Sequence, residues 1–355
     1  MDSTFGTSTE SDNDNYSGYS GYSDYSGDGF IDETCDKKSV MVFGAVFTVV
    51  LFSIVVILSL LGNIMVIVVL AKYENLKALT NAFILNLAAS DLFFTAALPF
   101  WAYNHVHAWT LGEPACKTAT FVFYVGFYSS GILLILMTAH RYVAVMSPLS
   151  NLVSTTGPVS VAACAAVWAV STLAASPSFA TSVVVEERCD FSSSYWELWV
   201  VYQQNALFAL SSVVFVFCYS QIMCRLLRPT AQRRKNKTLK LIFTLTAVFF
   251  VGWAPYNIVI FLQTLNTWNP PSGDSNVLLA ACEASRRLDY AFYVARLFAF
   301  SHCCLNPVFY VFVGVKFKNH LMKMLKGWGR RNSGLRNRQS RLTITSLTSG
   351  EEVVM

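Results

Sequence analysis

Seven long runs of this chain carry almost no charge, and they constrain its fold more than any other feature. They fall at about 40–71, 78–103, 118–139, 159–185, 198–224, 241–266 and 291–315. About 20 helical residues cross the ~30 Å hydrocarbon core of a bilayer, so each run is long enough to span one. Inside lipid every backbone N–H and C=O must be satisfied within the protein, which leaves helices or closed barrels. Barrel strands would read as alternating segments of about ten residues, and no run does. The expectation is an all-α membrane protein, a seven-transmembrane-helix bundle. Composition agrees, since 13% of residues are charged and mean hydropathy is +0.46, whereas soluble domains carry roughly 25% charge.

The first run is too long for a signal-peptide core and follows an acidic leader, so it reads as a retained span. Residues 1–39 are rich in Ser, Gly, Asp and Tyr and hold too few apolar groups for a core, so they read as a disordered tail. The bundle then occupies 40–313. Residues 314–326 set Val315, Leu321, Met322 and Leu325 among lysines, the pattern of a short amphipathic helix on a membrane surface. Residues 327–355 turn basic and then Ser/Thr-rich, a second unstructured tail.

Charge orients the bundle. Of 26 Lys and Arg, 19 follow spans one, three, five and seven, while 17 of 21 acids lie in the leader or after spans two, four and six. The positive-inside rule therefore puts the amino terminus outside and the basic tail in the cytoplasm. Topology accounts for the basic excess, and no nucleic-acid partner is expected.

Seven spans suit a transporter, a retinal protein or a receptor. Transporters carry internal repeats and several paired intramembrane charges; this chain shows no repeat, and only Asp91 and Arg296 lie well inside spans. A retinal protein needs a lysine in its last span, and none precedes Lys316 there. A receptor, not an enzyme, remains.

Five marks fall in order on the spans: Gly62-Asn63, Leu87-Ala88-Ala89-Ser90-Asp91, His140-Arg141-Tyr142, Trp253-Ala254-Pro255 and Asn306-Pro307-Val308-Phe309-Tyr310. Together they resemble the rhodopsin-like G-protein-coupled receptors over about residues 40 to 326. The resemblance implies that Asp91 partners Asn63, Ser130 and Asn306, with an allosteric sodium ion between them in the inactive state and no other cofactor. The alternative is a protonated, hydrogen-bonded packing residue. It implies that Trp253 feels ligand and that Pro255, which removes a backbone hydrogen bond, makes a lever of span six; the alternative for Trp253 is a plain core residue. Arg141 would meet the G protein, with Tyr219 and Tyr310 closing on it in the active state. Two departures stand out. His140 replaces the usual Asp beside Arg141, which loosens the resting hold, and Ser211 replaces the usual Pro in span five.

Further features resemble the chemokine receptors. Tyr16, Tyr19, Tyr22 and Tyr25 lie among acids, a setting for tyrosine sulfation, and the leader holds nine acids against Lys37 and Lys38. Such a segment attracts a basic protein and speeds encounter; without a partner it is merely a solvated leader. Four of nine cysteines face outward, where pairing is expected. The resemblance implies Cys116–Cys189, common to the receptor class, and Cys35–Cys282, as in chemokine receptors. Leu98-Pro99-Phe100-Trp101, Ala254-Pro255-Tyr256-Asn257 and Ser301-His302-Cys303-Cys304-Leu305-Asn306-Pro307 match the same family. Within it the likeness is to the branch for C-type, lymphotactin-like chemokines, which is similar in carrying His before the Arg and Arg at the depth of Arg296. The implied ligand pocket is Trp101, Phe123, Tyr124, Tyr202, Tyr256, Asp289, Tyr293 and Arg296, although core packing is the ordinary role of such aromatics.

The resemblance thus implies a plasma-membrane receptor whose leader captures a basic chemokine. The chemokine's amino terminus would enter the bundle, and an inhibitory-class heterotrimeric G protein would engage the basic inner face. Receptor kinases would act on Ser340, Thr343, Thr345, Ser346, Thr348 and Ser349, recruiting arrestin. Lys316, Lys318 and Lys323 would meet acidic membrane lipids. Asn15 heads a glycosylation sequon. Alternatives are a scavenging receptor without G-protein coupling, which His140 permits, and a receptor for another peptide.

Overall fold

The computed structural model describes residues 35–147, 157–226, 236–268, 274–313, 317–324 and 326. The leader tyrosines Tyr16, Tyr19, Tyr22 and Tyr25, the sequon at Asn15 and the kinase sites Ser340, Thr343, Thr345, Ser346, Thr348 and Ser349 lie outside them.

Helices α1 (Lys38–Tyr73), α2 (Leu79–Val106), α3 (Glu113–Met146) and α4 (Pro158–Thr181) come first. A hairpin of β1 (Ser182–Val185) and β2 (Arg188–Phe191) follows, antiparallel, with Val184 opposite Cys189. Then come α5 (Ser194–Leu226), α6 (Asn236–Trp268), α7 (Ser275–Phe300) and α8 (His302–Val313). Among the described residues six helices, α1 to α6, are long and apolar enough to cross a membrane.

Two spans differ from their hydropathy. The run at 159–185 stays helical only to Thr181, and its last four residues form β1. Consecutive β-branched valines suit a strand, and the covalent tie of Cys189 on β2 to Cys116 holds them there. The seventh span starts well before residue 291, at Ser275, because helical hydrogen bonds continue through a polar stretch that hydropathy excludes. It is also broken at Ser301, so that the seventh crossing is α7 followed by α8.

Proline explains what happens past that break. Pro307 has no N–H to give the carbonyl four residues earlier, and Asn63 Nδ2 donates to that carbonyl, Cys303 O, at 2.8 Å. Beside it Gly62 lets α1 close on α8, since a Cβ there would lie 2.8 Å from the Pro307 ring. The same repair recurs in α4, where Ser176 Oγ donates to the Leu173 carbonyl freed by Pro177.

The core surrounds α3, whose Leu133, Leu134 and Met137 are fully buried. At its middle Gly126 lies against the backbone of Phe94 in α2. A final helical run, α9 (317–324), turns Phe317, His320, Leu321 and Met324 toward the protein and exposes Lys318, Met322 and Lys323. Inward positions at i, i+3, i+4 and i+7 are those of an amphipathic helix. Met322 points away from the bundle. Val315 and Leu325 fall outside the described residues.

Candidate functional site

Two disulfides mark one end of the bundle. Cys116, in the first turns of α3, bonds Cys189 on β2, with Cα atoms 5.4 Å apart. Cys35, just before α1, bonds Cys282 in α7, with Cα atoms 5.6 Å apart. Asn104 of α2 grips the hairpin from the other side, accepting from Cys189 N at 3.1 Å and donating to Cys189 O at 3.2 Å. The turn itself places Glu186 and Glu187 at φ 47° and 58°, and the Glu187 carbonyl accepts from Trp109 N. Under this lid lies a cavity of about 170 Å³.

Trp101, Tyr124, Tyr256, Asp289 and Tyr293 line that cavity. Phe123 does not; it is buried beneath, its ring 5.9 Å from Trp101 and 4.7 Å from Phe94. Tyr202 turns outward with 44% of its surface exposed, and its neighbours Val200, Val201 and Gln204 face the cavity instead. Helical period explains this, since residues two apart on α5 face different ways. Sequence reasoning missed the acids Asp190 and Glu197 and the bases Lys37 and Arg188, all on the wall. The available signal was their nearness to Cys35 and Cys189, which a bridge draws to the cavity mouth. Asp289 is engaged already: Lys37 Nζ lies 3.2 Å from its Oδ2, and Gln263 Nε2 donates to Oδ1 at 3.3 Å.

Arg296 sits to one side, 4% exposed, between α1, α2 and α7. Its Nη2 donates to Thr48 Oγ1 at 2.5 Å, and Nη1 donates to His105 Nε2 at 2.9 Å. The guanidinium lies 5.2–5.3 Å from the rings of Phe52, Phe292 and Tyr293, a setting in which aromatic faces offset the desolvation of a cation. Arg296→Met keeps the length and deletes the charge. It is expected to lose about 1–3 kcal/mol of stability, measured as a lower thermal midpoint of the purified protein.

Below the cavity Trp253 is 1% exposed and packs on Phe127 at 4.7 Å and His302 at 5.3 Å. It does not line the cavity; Tyr256, 5.6 Å away, links it to the wall. Pro255 interrupts the hydrogen bonds of α6 two residues on. Deeper still, the fully buried Asp91 accepts from Ser130 Oγ at 3.1 Å and from Asn306 Nδ2 at 2.8 Å. Asn63, expected to join this set, turns its amide to Ser59 and Cys303. His302 takes the place beside Asp91: its Nδ1 donates to Ala299 O at 2.7 Å, which leaves Nε2 a lone pair. That lone pair is buried without a partner, 3.8 Å from Asp91 Oδ1. A carboxylate, a hydroxyl and an orphaned acceptor suit a small cation, so these residues fit the sodium ion that the family resemblance implies.

At the far end Arg141 Nη2 donates to Thr80 Oγ1 of α2 at 3.3 Å. Tyr219 is paired with Thr246 of α6 at 3.3 Å, and the Tyr310 hydroxyl is buried without a partner. Neither bonds Arg141 here. The Tyr142 ring meets that of Phe217 in α5 at 5.7 Å between centroids, tilted by 47°.

A family described as 7 transmembrane receptor (rhodopsin family) matches residues 62–310. The chain is 42% identical over 294 residues to Chemokine XC receptor 1 of Homo sapiens, covering 83% of this chain and 85% of that protein. It is 41% identical over 290 residues to Chemokine XC receptor 1 of Mus musculus, covering 82% and 86%. Against C-C chemokine receptor type 4 of Homo sapiens it is 36% identical over 305 residues, covering 83% and 82%.

Proposed function

This chain belongs to the rhodopsin family of seven-transmembrane receptors and, within it, to the chemokine receptors; from that premise we propose that it takes a C-type chemokine and signals through an inhibitory-class heterotrimeric G protein. The observation that carries the ligand class is the higher identity to the XC receptors than to the C-C receptor. The chain is a multi-pass membrane protein. Its amino terminus and disulfide end lie outside the cell and its Arg141 end in the cytoplasm, a reading supported by the basic residues that follow alternate spans.

The acidic leader, sulfated on tyrosine, captures the folded basic chemokine through charge-assisted hydrogen bonds to its Arg and Lys. The chemokine's amino terminus then enters the cavity between the lid, Trp101, Tyr124, Tyr256 and Tyr293. It shifts the receptor only by binding the active arrangement better than the resting one. Tyr256 touches both cavity and Trp253, so a ligand that presses on it repacks Trp253, and the Pro255 interruption lets the inner half of α6 swing outward. That swing parts Thr246 from Tyr219, freeing the tyrosine for Arg141 and exposing Arg141 to the G protein. Tail phosphorylation by receptor kinases then recruits arrestin, while Lys318 and Lys323 hold α9 to acidic lipid.

Inhibition of cyclic AMP in transfected cells, with a chemokine panel and with or without pertussis toxin, tests this. A toxin-sensitive response to a C-type ligand is expected. Binding and uptake of the same ligand with no such response would make the chain a scavenger. A response confined to other ligands would remove the C-type assignment.

The buried Asp91 carboxylate would gain from a bound sodium ion a positive charge to offset its own in the resting arrangement. Asp91, the Ser130 hydroxyl and His302 Nε2 would hold it, with Asn306 steadying the carboxylate. Chemokine affinity is therefore expected to fall several-fold between sodium-free and physiological sodium buffers. Asp91→Asn should flatten that dependence in radioligand displacement.

A further inference from the structure

The resting hold on Arg141 is unlike the pairing its neighbour would suggest. His140, adjacent in sequence, makes no hydrogen bond to it, and no carboxylate among the described residues lies within ion-pair distance of its guanidinium. The contact the structure does give is the 3.3 Å donation from Nη2 to Thr80 Oγ1. Nε is buried with no partner at all. The guanidinium is thus half-withdrawn from water and met by one neutral hydroxyl from a different helix.

We infer that Thr80 is a positioning residue for signalling: its hydroxyl holds Arg141 across the α2–α3 seam and sets the population of the resting receptor. The geometry supports this placement. Thr80 stands in the first turn of α2, next to Leu79, where the loop after α1 delivers the chain back to the bundle. A hydrogen bond to a charged donor is stronger than a neutral one. A hydroxyl, however, carries no opposite charge, so it lets go more readily than a carboxylate does. Release of Arg141 is also what Tyr219 and Tyr310 require, since both lack it in this arrangement. The contact joins α2 to α3, so it works before ligand arrives and independently of which chemokine binds.

The test uses the full-length receptor in lipid nanodiscs without ligand. Thr80→Val removes the hydroxyl at nearly constant shape, and Thr80→Ser keeps it. Two readouts are taken: basal nucleotide exchange on a purified inhibitory-class G protein, and ¹⁹F spectra of a trifluoromethyl label on Cys224. Cys224 is the exposed free cysteine among the described residues, near the inner end of α5. Thr80→Val is expected to raise basal exchange about five- to ten-fold and to move the ¹⁹F population toward that of Arg141→Ala. Thr80→Ser should match the parent in both. A parent-like ¹⁹F spectrum for Thr80→Val, or equal shifts for Thr80→Val and Thr80→Ser, would overturn the inference. If the G-protein reading alone is wrong, exchange stays flat in every variant while the ¹⁹F shift of Thr80→Val persists.

Discussion

Gly126→Val is expected to leave almost no folded receptor at the cell surface, and Gly126→Ala to lower its thermal midpoint sharply. A Cβ at this position would lie 2.5 Å from Phe94 N, 2.8 Å from Phe94 Cα and 2.9 Å from Phe94 Cβ. Two of those atoms are backbone, so relief requires α2 and α3 to part along their seam. Phe94 cannot retreat, because its ring is set among Phe123, Phe300 and His302 at 4.7–5.1 Å. Overpacking a full core costs about 1–3 kcal/mol for extra methylenes that side chains can absorb, and a backbone clash has no such outlet. Gly131, on the same helix, is the control. A Cβ there meets only the Leu207 side chain, at 3.2 Å, and Gly131→Ala should express and melt like the parent. Equal behaviour of the two alanine variants in surface labelling and thermal melts would show that the α2–α3 seam is looser than described.

Cys116→Ser is the second large effect. Chemokine binding should fall by at least a hundred-fold, with surface expression reduced, whereas Cys164→Ser should change neither. The bridge closes a loop spanning 73 residues, and losing a native disulfide costs about 2–5 kcal/mol. Its particular importance lies in what it positions. The hairpin is only four residues per strand, too short to hold itself in place. Beyond the disulfide it is fixed by Asn104 and by the Trp109 contact to Glu187. Without the bridge the lid, with Asp190 and Arg188 on it, no longer roofs the cavity. Saturation binding on surface-matched cells measures the loss, and retained affinity would show that the lid is dispensable for ligand.

The cavity and the resting switch differ in how far the sequence anticipates them. Five of the aromatic and acidic positions expected in the pocket do line it, because motif position fixes depth along a helix. Three do not: Phe123 is buried beneath it, and depth says nothing about azimuth, so α5 turns Tyr202 outward and α7 turns Arg296 toward Thr48 and His105. Asn63 and His302 exchange places for a related reason. Pro307 frees a carbonyl that claims the Asn63 amide, and the nearby imidazole then faces Asp91.

The sequence by itself determined the bundle, its expected orientation and the ordered motifs that carry the family resemblance, which in turn implied the two cysteine pairs. Each follows from signals that are local or additive: hydrophobic runs matched to a bilayer, charge bias between them, and short motifs in order. Only the tertiary structure decided that four valine-rich residues after α4 make a strand, that the seventh crossing breaks at Ser301, that Lys37 engages Asp289, and that Thr80 holds Arg141. These depend on contacts between residues up to 252 positions apart, where a bridge, a freed carbonyl or a missing Cβ selects among partners that the local sequence treats alike.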